Sequence, residues 1–364
     1  MNKVVALFLI WFLVINFFGL VANNRVNLKA DTAFDWINPD FTFQKQDWDL
    51  IDTHSRWDSY WFLDITQNGY YLRGEHELAN VAFFPLYPLL MGFTSLFFSD
   101  LVFSGWLVSS VFTLLAVIFL YKLVDEFHKD SDPILACFLL LIFPTAFFLN
   151  SIYSESTYLF FSILAFYYAR KQNYLVSGVT GMLASLTRIT GVLLFLPLLL
   201  EYFQNQKRKV ADFKLGALLL VPLGTTLFFL YHFFRFGDFF LYLKIEELWG
   251  RGFNFDMSKL SSLTNPAISN YSLDSLFVVL GIVSTILVFL KVRKSYALYM
   301  ASVLFVALSS GTTMSIGRYI LLLFPIYILV ASTKNNVVKY SWIFFSTLLL
   351  GLYTLLFVAH YWAG

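Results

Sequence analysis

Residues 54–88 read HSRWDSYWFLDITQNGYYLRGEHELANVAFFPLYP and differ from the rest of the chain, which is one apolar run after another. Within this segment, acidic residues and histidines stand among aromatic residues; they are Asp58, Asp64, Glu75, Glu77, His54 and His76. Because the segment directly follows the first apolar run, we expect it to lie at a membrane surface, where aromatic rings are favoured. Titratable groups in such surroundings predict a chemical role for the segment.

The composition predicts an integral membrane protein. Apolar residues make up 59% and charged residues 13% of the 364 residues, whereas soluble domains average about 25% charged residues. Many apolar stretches approach the roughly 20 residues that span a bilayer as a helix. We therefore predict an all-α, polytopic protein with a single membrane-embedded domain over residues 1–364. The net charge of +2 gives no reason to expect a nucleic-acid partner, and the single cysteine, Cys137, excludes an intramolecular disulfide and a thiolate zinc site.

Apolar runs separated by charged breaks predict about eleven transmembrane helices. The predicted spans are residues 4–23, 101–122, 133–152, 156–170, 174–187, 189–204, 214–236, 273–290, 296–310, 318–333 and 340–361. The first run is longer than the apolar core of a signal peptide, so we interpret it as a retained helix. The run 83–98 is short and has two prolines near its start, so we interpret it as a re-entrant or surface-lying element.

The lysines and arginines orient these spans. With the N-terminus inside, most of them fall in short inner loops, as the positive-inside rule requires. A full crossing by residues 83–98 would break this pattern. Residues 24–100 are therefore predicted to form a long first outer loop that carries surface helices, and residues 237–272 a second outer loop.

Asp58 lies at the start of a predicted helix in the first outer loop and has two interpretations. Ser55 and Asp58 have the spacing of a capping box, and Gly69 would end the helix. In the first interpretation the carboxylate only caps the helix. In the second it is a base, because at about 100° per residue it projects into the apolar sector that holds Trp61, where loss of water makes a carboxylate a better proton acceptor. Asp64 projects into another sector, as a solvated or supporting carboxylate.

A candidate metal site lies later in the same loop. Glu75, His76 and Glu77 could bind a divalent metal through oxygen and imidazole ligands. Neighbouring polar residues in a hydrophilic loop are, however, more often simply solvated. The sequence leaves both interpretations open, and it predicts no cofactor beyond this candidate metal.

Three motifs that follow one another over about residues 50–195 resemble the PIG-V family of GPI mannosyltransferases and its prokaryotic relatives. The first joins Arg56-Trp57-Asp58, Phe62-Leu63, Ile65, Gly69-Tyr70 and Ala82-Phe83-Phe84-Pro85-Leu86-Tyr87-Pro88. The others are Tyr153-Ser154-Glu155-Ser156 and Ala184-Ser185-Leu186-Thr187-Arg188-Ile189-Thr190-Gly191. Each motif alone is weak, but their combination is specific. The remainder of the chain agrees with the family only as a helical bundle.

The resemblance implies a GT-C glycosyltransferase, a multi-span enzyme whose active site faces the lumen or the cell exterior. Such enzymes take a sugar from a polyprenyl-phosphate donor and need an acidic residue in the first outer loop, which here is Asp58. The resemblance also implies that Glu155 lies near Asp58 as an assisting carboxylate, and that Arg188 lies at the outer end of a short span. The chain is shorter than eukaryotic members and has Ile189-Thr190 where they tend to carry Ser-Asn. Mannose is the expected sugar, and the acceptor is left open.

The chemistry of such a transfer fits a small set of residues. Inversion in a single displacement needs one base, and the leaving lipid phosphate needs stabilisation of its charge. Arginine supplies this stabilisation through bidentate contact with phosphate, so we predict Arg188 and Arg318 as donor-phosphate ligands. Both could instead extend to lipid headgroups, and Glu155 could simply be an anion favoured at a helix start. The predicted substrate contacts are Arg56, Asp64 and Tyr70. Arg56 is also expected as an interface charge beside Asp58.

We thus expect an inverting mannosyltransferase in the plasma membrane of a prokaryote, with its active site on the exterior face and a lipid-linked or glycan acceptor. The second outer loop is expected to cover the site and to help choose the acceptor. A transporter or flippase of lipid-linked sugars is the main alternative. It should carry ionisable residues deep within spans, and Glu201 and His232 are the only candidates, each near a span terminus. A non-catalytic membrane subunit that presents the aromatic loop to a partner is a second alternative.

Overall fold

A computed structural model describes residues 2–26, 49–74, 77–205, 213–252, 269–310 and 313–363, and this part of the chain is helical, with no β-strand. The α-helices are α1 (Asn2–Arg25), α2 (Asp49–Asp52), α3 (Ser59–Asn68), α4 (Leu86–Phe98), α5 (Leu101–Phe127), α6 (Pro133–Leu141), α7 (Glu155–Arg170), α8 (Tyr174–Thr187), α9 (Phe195–Asn205), α10 (Phe213–Ala217), α11 (Leu220–Phe236), α12 (Leu241–Leu248), α13 (Ser269–Lys291), α14 (Lys294–Ser309), α15 (Ile316–Leu321), α16 (Pro325–Ser332) and α17 (Asn336–Val358). Short 3-10 helices cover Asn80–Ala82, Ala146–Asn150 and Ile189–Leu194.

Five helical segments of the described chain are long and apolar enough to cross a bilayer. They are Asn2–Arg25, Leu101–Phe127, Leu215–Phe236, Leu273–Lys291 and Asn336–Val358. Large apolar side chains on these helices, such as Phe17 on α1 and Phe344 on α17, are exposed, as expected for lipid-facing positions. The protein is therefore an all-helical, multi-pass membrane protein, and the number of eleven crossings stays a prediction.

Helix α4 covers most of the run 83–98, whose two prolines lie at its start. With 13 residues it is roughly 20 Å long, which is shorter than the ~30 Å hydrocarbon core. It packs against α3 and α5. This length agrees with a re-entrant or surface-lying element, which also stays a prediction because no membrane is present.

Two predicted spans are not continuous helices. In residues 133–152, helix α6 ends at Leu141, and the buried segment that follows contains Pro144. In residues 318–333, α15 ends at Leu321 and α16 begins at Pro325. Proline has no backbone N–H to donate to the carbonyl four residues earlier, and both helices end near that carbonyl, at Leu141 before Pro144 and at Leu321 before Pro325. Such irregular backbone is tolerated at membrane depth when protein surrounds it.

Helix α3, in the predicted first outer loop, is packed into the bundle. Residues Ser59–Ile65 of α3 are buried, and the prediction that this loop carries helices at the membrane surface stays a prediction. The segment before α3 is tied to the end of the chain, because Arg56 Nε donates to the Val358 carbonyl at 3.4 Å and Trp57 Nε1 to the Tyr361 carbonyl at 3.2 Å. These contacts hold the turn that carries Asp58.

An ion cluster ties the helix ends at the opposite end of the bundle. The fully buried Glu201 on α9 accepts hydrogen bonds from Arg293 at 2.7 and 2.6 Å and from Ser295 at 2.5 Å. Arg170, the last residue of α7, lies 3.5 Å from the same carboxylate. One carboxylate thus joins α7, α9 and the start of α14.

Replacement of Glu201 by alanine should destabilise the protein strongly. The substitution leaves two guanidinium groups without their shared anion, which for buried pairs costs about 3–5 kcal/mol. Because the two arginines are partly exposed, we expect the lower end of this range, measured as thermal unfolding in one detergent. Glu126→Ala is the matched control, since Glu126 pairs with Lys171 at the same end but in an exposed setting. Equal losses in the two variants would contradict the role given to Glu201.

Candidate active site

The carboxylate of Asp58 does not cap the helix that follows it. Helix α3 begins at Ser59, and no side-chain hydrogen bond from Asp58 satisfies its first turn. Gly69 does end the helix, as predicted: its φ is 73°, and its N–H donates to the Ile65 carbonyl at 2.9 Å. The capping interpretation of Asp58 is therefore wrong, and the carboxylate has another partner.

That partner is Arg318, which lies between two carboxylates. Its Nη1 donates to Oδ2 of Asp58 at 2.7 Å, and its Nε donates to Oε1 of Glu155 at 2.7 Å. Arg188 Nη1 lies 2.8 Å from the same Glu155 oxygen. The four side chains form a continuous chain of charges in the order Asp58, Arg318, Glu155, Arg188, which we call the ion chain.

Each member of the ion chain comes from the end of a helix or a turn. Glu155 is the first residue of α7, Arg188 directly follows α8 in extended conformation, and Arg318 lies in the short α15. Arg318 is buried, with the rings of Tyr153 and Phe148 4.7 and 4.9 Å from its guanidinium carbon. Contacts of a cation with ring faces offset part of the cost of removing it from water.

Tyr153 positions the backbone of the catalytic segment. Its hydroxyl donates to the Arg56 carbonyl at 2.9 Å and accepts from the Asp58 N–H at 3.2 Å. Since Tyr153 also precedes Ser154-Glu155, the second motif supports the first. This contact explains why the two motifs occur together.

A polar cavity opens at the ion chain. It is lined by Asp58, Phe62, Ala82, Phe83, Phe84, Ser154, Thr187, Arg188, Ile189, Thr190, Tyr242, Glu246, Trp249, Arg251, Ser315, Arg318 and Tyr319. Asp58 and Arg188 are about 15 and 16% exposed at their side chains, so both remain accessible. Among the described residues, Oδ1 of Asp58 accepts no hydrogen bond, and it is free to receive a proton or a ligand hydroxyl.

Glu155 lies behind the two arginines and is completely buried. Its Oε1 accepts from both guanidinium groups, and its Oε2 has no hydrogen-bond partner in the part of the chain that the structure describes. The structure therefore brings Glu155 close to Asp58, as the resemblance implies, but through Arg318. This geometry gives Glu155 the task of holding the arginines rather than direct contact with a substrate.

An apolar groove adjoins the polar cavity and has a volume of about 530 Å³. Its lining comprises Ile65, Thr66, Gly69, Tyr70, Pro85, Pro88, Leu89, Gly92, Phe93, Leu96, Leu186, Leu227, Phe228 and Tyr231. The neighbours Phe84-Pro85 and Leu186-Thr187 each contribute one residue to the cavity and one to the groove. Tyr70, predicted as a substrate contact, lies in the groove, and its hydroxyl donates to the Phe83 carbonyl at 2.7 Å.

Arg56 and Asp64 are not brought to the cavity. Arg56 is 1% exposed and donates to Asp52 Oδ2 at 3.3 Å, besides its bond to the Val358 carbonyl. Asp64 is fully buried and accepts from Tyr71 at 2.8 Å and Asn80 at 2.9 Å. Their hydrogen bonds hold the loop together, so the structure places both predicted substrate contacts in structural networks.

A family model described as Mannosyltransferase (PIG-V) matches residues 3–245. This region contains Asp58, Glu155 and Arg188, and it covers well over half of the chain. The chain belongs to the PIG-V mannosyltransferase family. Arg318, the central member of the ion chain, lies beyond the matched region of this PIG-V family member.

Two solved structures were found to be similar, and the first of them shows a related fold. One is ArnT from Cupriavidus metallidurans bound to undecaprenyl phosphate, with 13% identity, a TM-score of 0.56, and coverage of 90% of this chain and 59% of that chain. Another is the oligosaccharyltransferase of Archaeoglobus fulgidus in complex with Zn and sulfate, with 14% identity, a TM-score of 0.44, and coverage of 97% and 53%. This PIG-V family member thus spans less than two thirds of the length of either protein. No curated protein sequence matches it.

Four cavity residues of the PIG-V family member come from the predicted second outer loop and carry no recognisable motif. They are Tyr242, Glu246, Trp249 and Arg251, on and just after α12. Burial raises the pKa of the Glu246 carboxyl above its ordinary value, and the Arg251 guanidinium offsets only part of this effect. In the sequence, residues 237–272 are recognisable only as a charged and aromatic segment in a predicted outer loop. This pattern predicts that the segment covers the site, but it does not single out which residues contact the cavity.

The candidate divalent metal stays a prediction. The described residues contain no group of three or more histidine, cysteine, aspartate or glutamate side chains that could hold an ion. Asp58 and Glu155 each bind Arg318 through one carboxylate oxygen. In the candidate metal segment, Glu75 and His76 lie outside the described residues, and Glu77 lies 4.0 Å from Arg73.

The two carboxylates of the ion chain should differ in their effect on stability. Glu155→Gln removes a fully buried charge from two arginines and should cost about 3–5 kcal/mol of unfolding free energy. Asp58→Asn alters a carboxylate at the cavity edge and leaves Arg318 its bond to Glu155, so it should cost less, about 1–2 kcal/mol. Thermal unfolding of both variants in the same detergent measures the difference. A larger loss in Asp58→Asn would mean that Glu155 is not the residue that holds the arginines.

Proposed function

We propose that this PIG-V family member is an inverting glycosyltransferase that moves a sugar, mannose by its family, from a polyprenyl-phosphate donor to a lipid-linked or glycan acceptor. The observation that carries the proposal is the ion chain at the junction of a polar cavity and an apolar groove. A lipid-linked sugar phosphate has the same three parts in the same order: a polar sugar, an anionic phosphate and an apolar chain.

In the proposed reaction, Asp58 acts as the base. The acceptor hydroxyl gives its proton to Oδ1 of Asp58 while its oxygen attacks C1 of the donor sugar. The bond between C1 and the phosphate oxygen breaks, and the polyprenyl phosphate leaves with the bonding electrons. One displacement with one base inverts the configuration at C1, and a second nucleophilic carboxylate is not needed.

The arginines supply the charge stabilisation for the leaving phosphate. Three guanidinium groups, of Arg188, Arg251 and Arg318, line the cavity together with the carboxylates of Asp58 and Glu246. The Glu155 carboxylate lies behind Arg188 and Arg318, so the cavity face itself presents more cations than anions. Arg188 is best placed, because it is partly exposed and its shared anion lies behind it. Planar guanidinium groups bind phosphate oxygens in pairs, which also orients the leaving group.

The apolar groove is the proposed site of the prenyl chain. Its lining is almost entirely hydrocarbon, and it begins where Phe84-Pro85 and Leu186-Thr187 border the polar cavity. A chain that leaves a phosphate at Arg188 can enter the groove near Tyr70 and continue along α4 towards Gly92. The likeness in fold to ArnT, whose structure contains undecaprenyl phosphate, supports this class of donor.

We place the site on the exterior face of a prokaryotic plasma membrane. The ion chain lies at the helix ends opposite those that carry Lys122, Arg170, Lys171 and Arg293. Basic residues favour the cytoplasmic side, so the positive-inside rule directs the cavity outward. Lipid-linked sugars are a natural donor there, since nucleotide sugars are absent outside the cell.

No observation favours the transporter. Of its two candidate relay residues, Glu201 is enclosed by Arg170, Arg293 and Ser295, and thus serves the packing of helix ends. The ring nitrogens of His232 are buried without a hydrogen-bond partner in the described chain. A proton relay needs successive groups that exchange protons. The Glu201 carboxylate is held by arginines, which stay protonated, and His232 has no such partner in the described chain.

Turnover tests the role of Asp58. The purified protein is incubated with polyprenyl-phosphate sugars and a membrane lipid extract, and release of polyprenyl phosphate is measured. Asp58→Asn should retain its fold and lose at least about 100-fold in rate, because the base is gone. Glu77→Gln, an exposed carboxylate of the same loop, should remain fully active. Equal rates in the wild type and Asp58→Asn would remove Asp58 from the mechanism, and no release from any donor would refute the proposed activity.

A larger side chain in the apolar groove should weaken the binding of long prenyl phosphates but not of short ones. Gly92→Leu places a side chain in the groove, where a Cβ would meet only Thr66 at 3.4 Å. Loss of roughly two buried methylenes of the ligand predicts about tenfold weaker binding of undecaprenyl phosphate, while farnesyl phosphate, which ends before Gly92, binds as before. Gly351→Leu on α17 is the matched control, because its Cβ would meet only Phe18. Unchanged discrimination by chain length in Gly92→Leu would show that the chain lies elsewhere.

A further inference from the structure

One wall of the polar cavity comes from the second outer loop, and it is fixed by packing on the first. Leu241 and Ile245 of α12 pack with Ala79 and Val81. The Trp249 ring lies 5.8 Å from that of Trp61, edge to face. The loop therefore presents its remaining side chains, Tyr242, Glu246, Trp249 and Arg251, to the cavity that contains Asp58. We call these four residues the α12 wall.

Glu246 keeps capacity to accept hydrogen bonds in this wall. Its Oε2 lies 3.5 Å from Arg251 Nη1, which is long for a hydrogen bond between charged groups. The side chain is 14% exposed, so a ligand in the cavity can reach it. A carboxylate needs a donor partner, and phosphate oxygens only accept. The ligand group that meets Glu246 must therefore carry hydroxyl or amino hydrogens.

Three further polar atoms around the same cavity lack partners. Among the described residues, Trp249 Nε1, Thr190 Oγ1 and Ser315 Oγ make no hydrogen bond and are closed off from solvent. All three residues line the cavity with Asp58 and Arg318. Buried polar groups are normally paired, and each unpaired one costs about 1–3 kcal/mol. Because three such atoms lie around one cavity, we infer that a ligand provides their hydrogen-bond partners. Small shifts of these side chains would expose the three atoms to the ligand.

The chemistry of these groups fits a polyhydroxylated ring. They comprise one acceptor, one donor and two hydroxyls that can do either, beside the rings of Trp249 and Tyr242. Sugar hydroxyls both donate and accept, and the C–H face of a sugar ring packs on aromatic surfaces. We propose that Glu246 and Trp249, together with Thr190 and Ser315, form a hydroxyl-binding subsite that holds a sugar ring next to Asp58. This inference rests on the proposed glycosyl transfer and makes Glu246 a specificity-determining residue, outside the region matched by the family model.

Binding of three probes tests the subsite and identifies the source of the sugar. The probes are a polyprenyl phosphate, the same lipid carrying mannose, and octyl α-mannoside, each titrated against the full-length protein in nanodiscs. Glu246→Gln should bind a mannose-bearing probe about tenfold more weakly, because a neutral amide accepts from hydroxyls less strongly than a carboxylate does and offers one acceptor oxygen in place of two. Trp249→Phe should bind it about fivefold more weakly, because the ring N–H donor is lost. The affinity for the sugar-free lipid should not change. Glu247→Gln is the matched control, since this carboxylate is exposed on the next position of the same helix.

The outcomes separate this inference from the proposed function. A selective loss for the mannosyl lipid assigns the subsite to the donor sugar, and a selective loss for octyl α-mannoside assigns it to the acceptor. Unchanged affinities, or an equal loss for the sugar-free lipid, would overturn the subsite while leaving the donor proposal intact. If the wild type binds octyl α-mannoside in a Glu246-dependent way but neither prenyl lipid, the subsite stands and the proposed donor falls.

Discussion

The buried guanidinium of Arg318 is the interaction on which the site depends. Removing an arginine from water is costly, and a buried cation persists only where anions and polar partners surround it. Here two carboxylates, Asp58 and Glu155, and two ring faces provide that surrounding. The same contacts join the first outer loop, the start of α7 and the short α15. The ion pairs of Arg318 therefore also hold together three elements that are far apart in the sequence.

Interruptions of the helices make the site around Arg318 accessible. The bundle brings functional residues to the places where helices end or are broken, and not to their regular middles. Thr145 Oγ1 donates to the Gly317 carbonyl at 2.9 Å and so joins the break after α6 to the short helix α15 that carries Arg318. The polar cavity can then lie beside an apolar groove without a charge facing lipid. This arrangement suits a ligand that is part lipid and part sugar.

Much of the fold could be predicted from the sequence, because apolar periodicity and charge breaks are local signals. Most helices follow the predicted runs within about five residues, whereas the runs 133–152 and 318–333 are interrupted, close to Pro144 and Pro325. The motifs led to Asp58 and Arg188, and the position of Arg318 at a span edge was also recognisable. All three line one cavity, and their roles in chemistry stay predictions.

The remaining site could not be predicted because its determinants are long-range. The sequence does not indicate whether the side chains of Arg56 and Asp64 contact a substrate or form hydrogen bonds within the protein. Only the contacts with Val358 and Asn80 show that they are structural. Glu246 belongs to a loop without a motif, and its place in the cavity depends on how α12 packs on residues 79–81. For Glu155, the sequence indicated proximity to Asp58 but not that an arginine separates the two.

The attachment of the Asp58 turn to the far end of the chain has a consequence for biosynthesis. Arg56 and Trp57 leave the ribosome early, yet their carbonyl partners follow 302 and 304 residues later, and Arg318 follows Asp58 by 260 residues. A nascent chain holding only the first helices therefore contains the motif but cannot organise it. The turn that carries Asp58 can therefore acquire its full set of contacts only after the chain has been synthesised as far as Tyr361, so the polar cavity is completed late in biosynthesis.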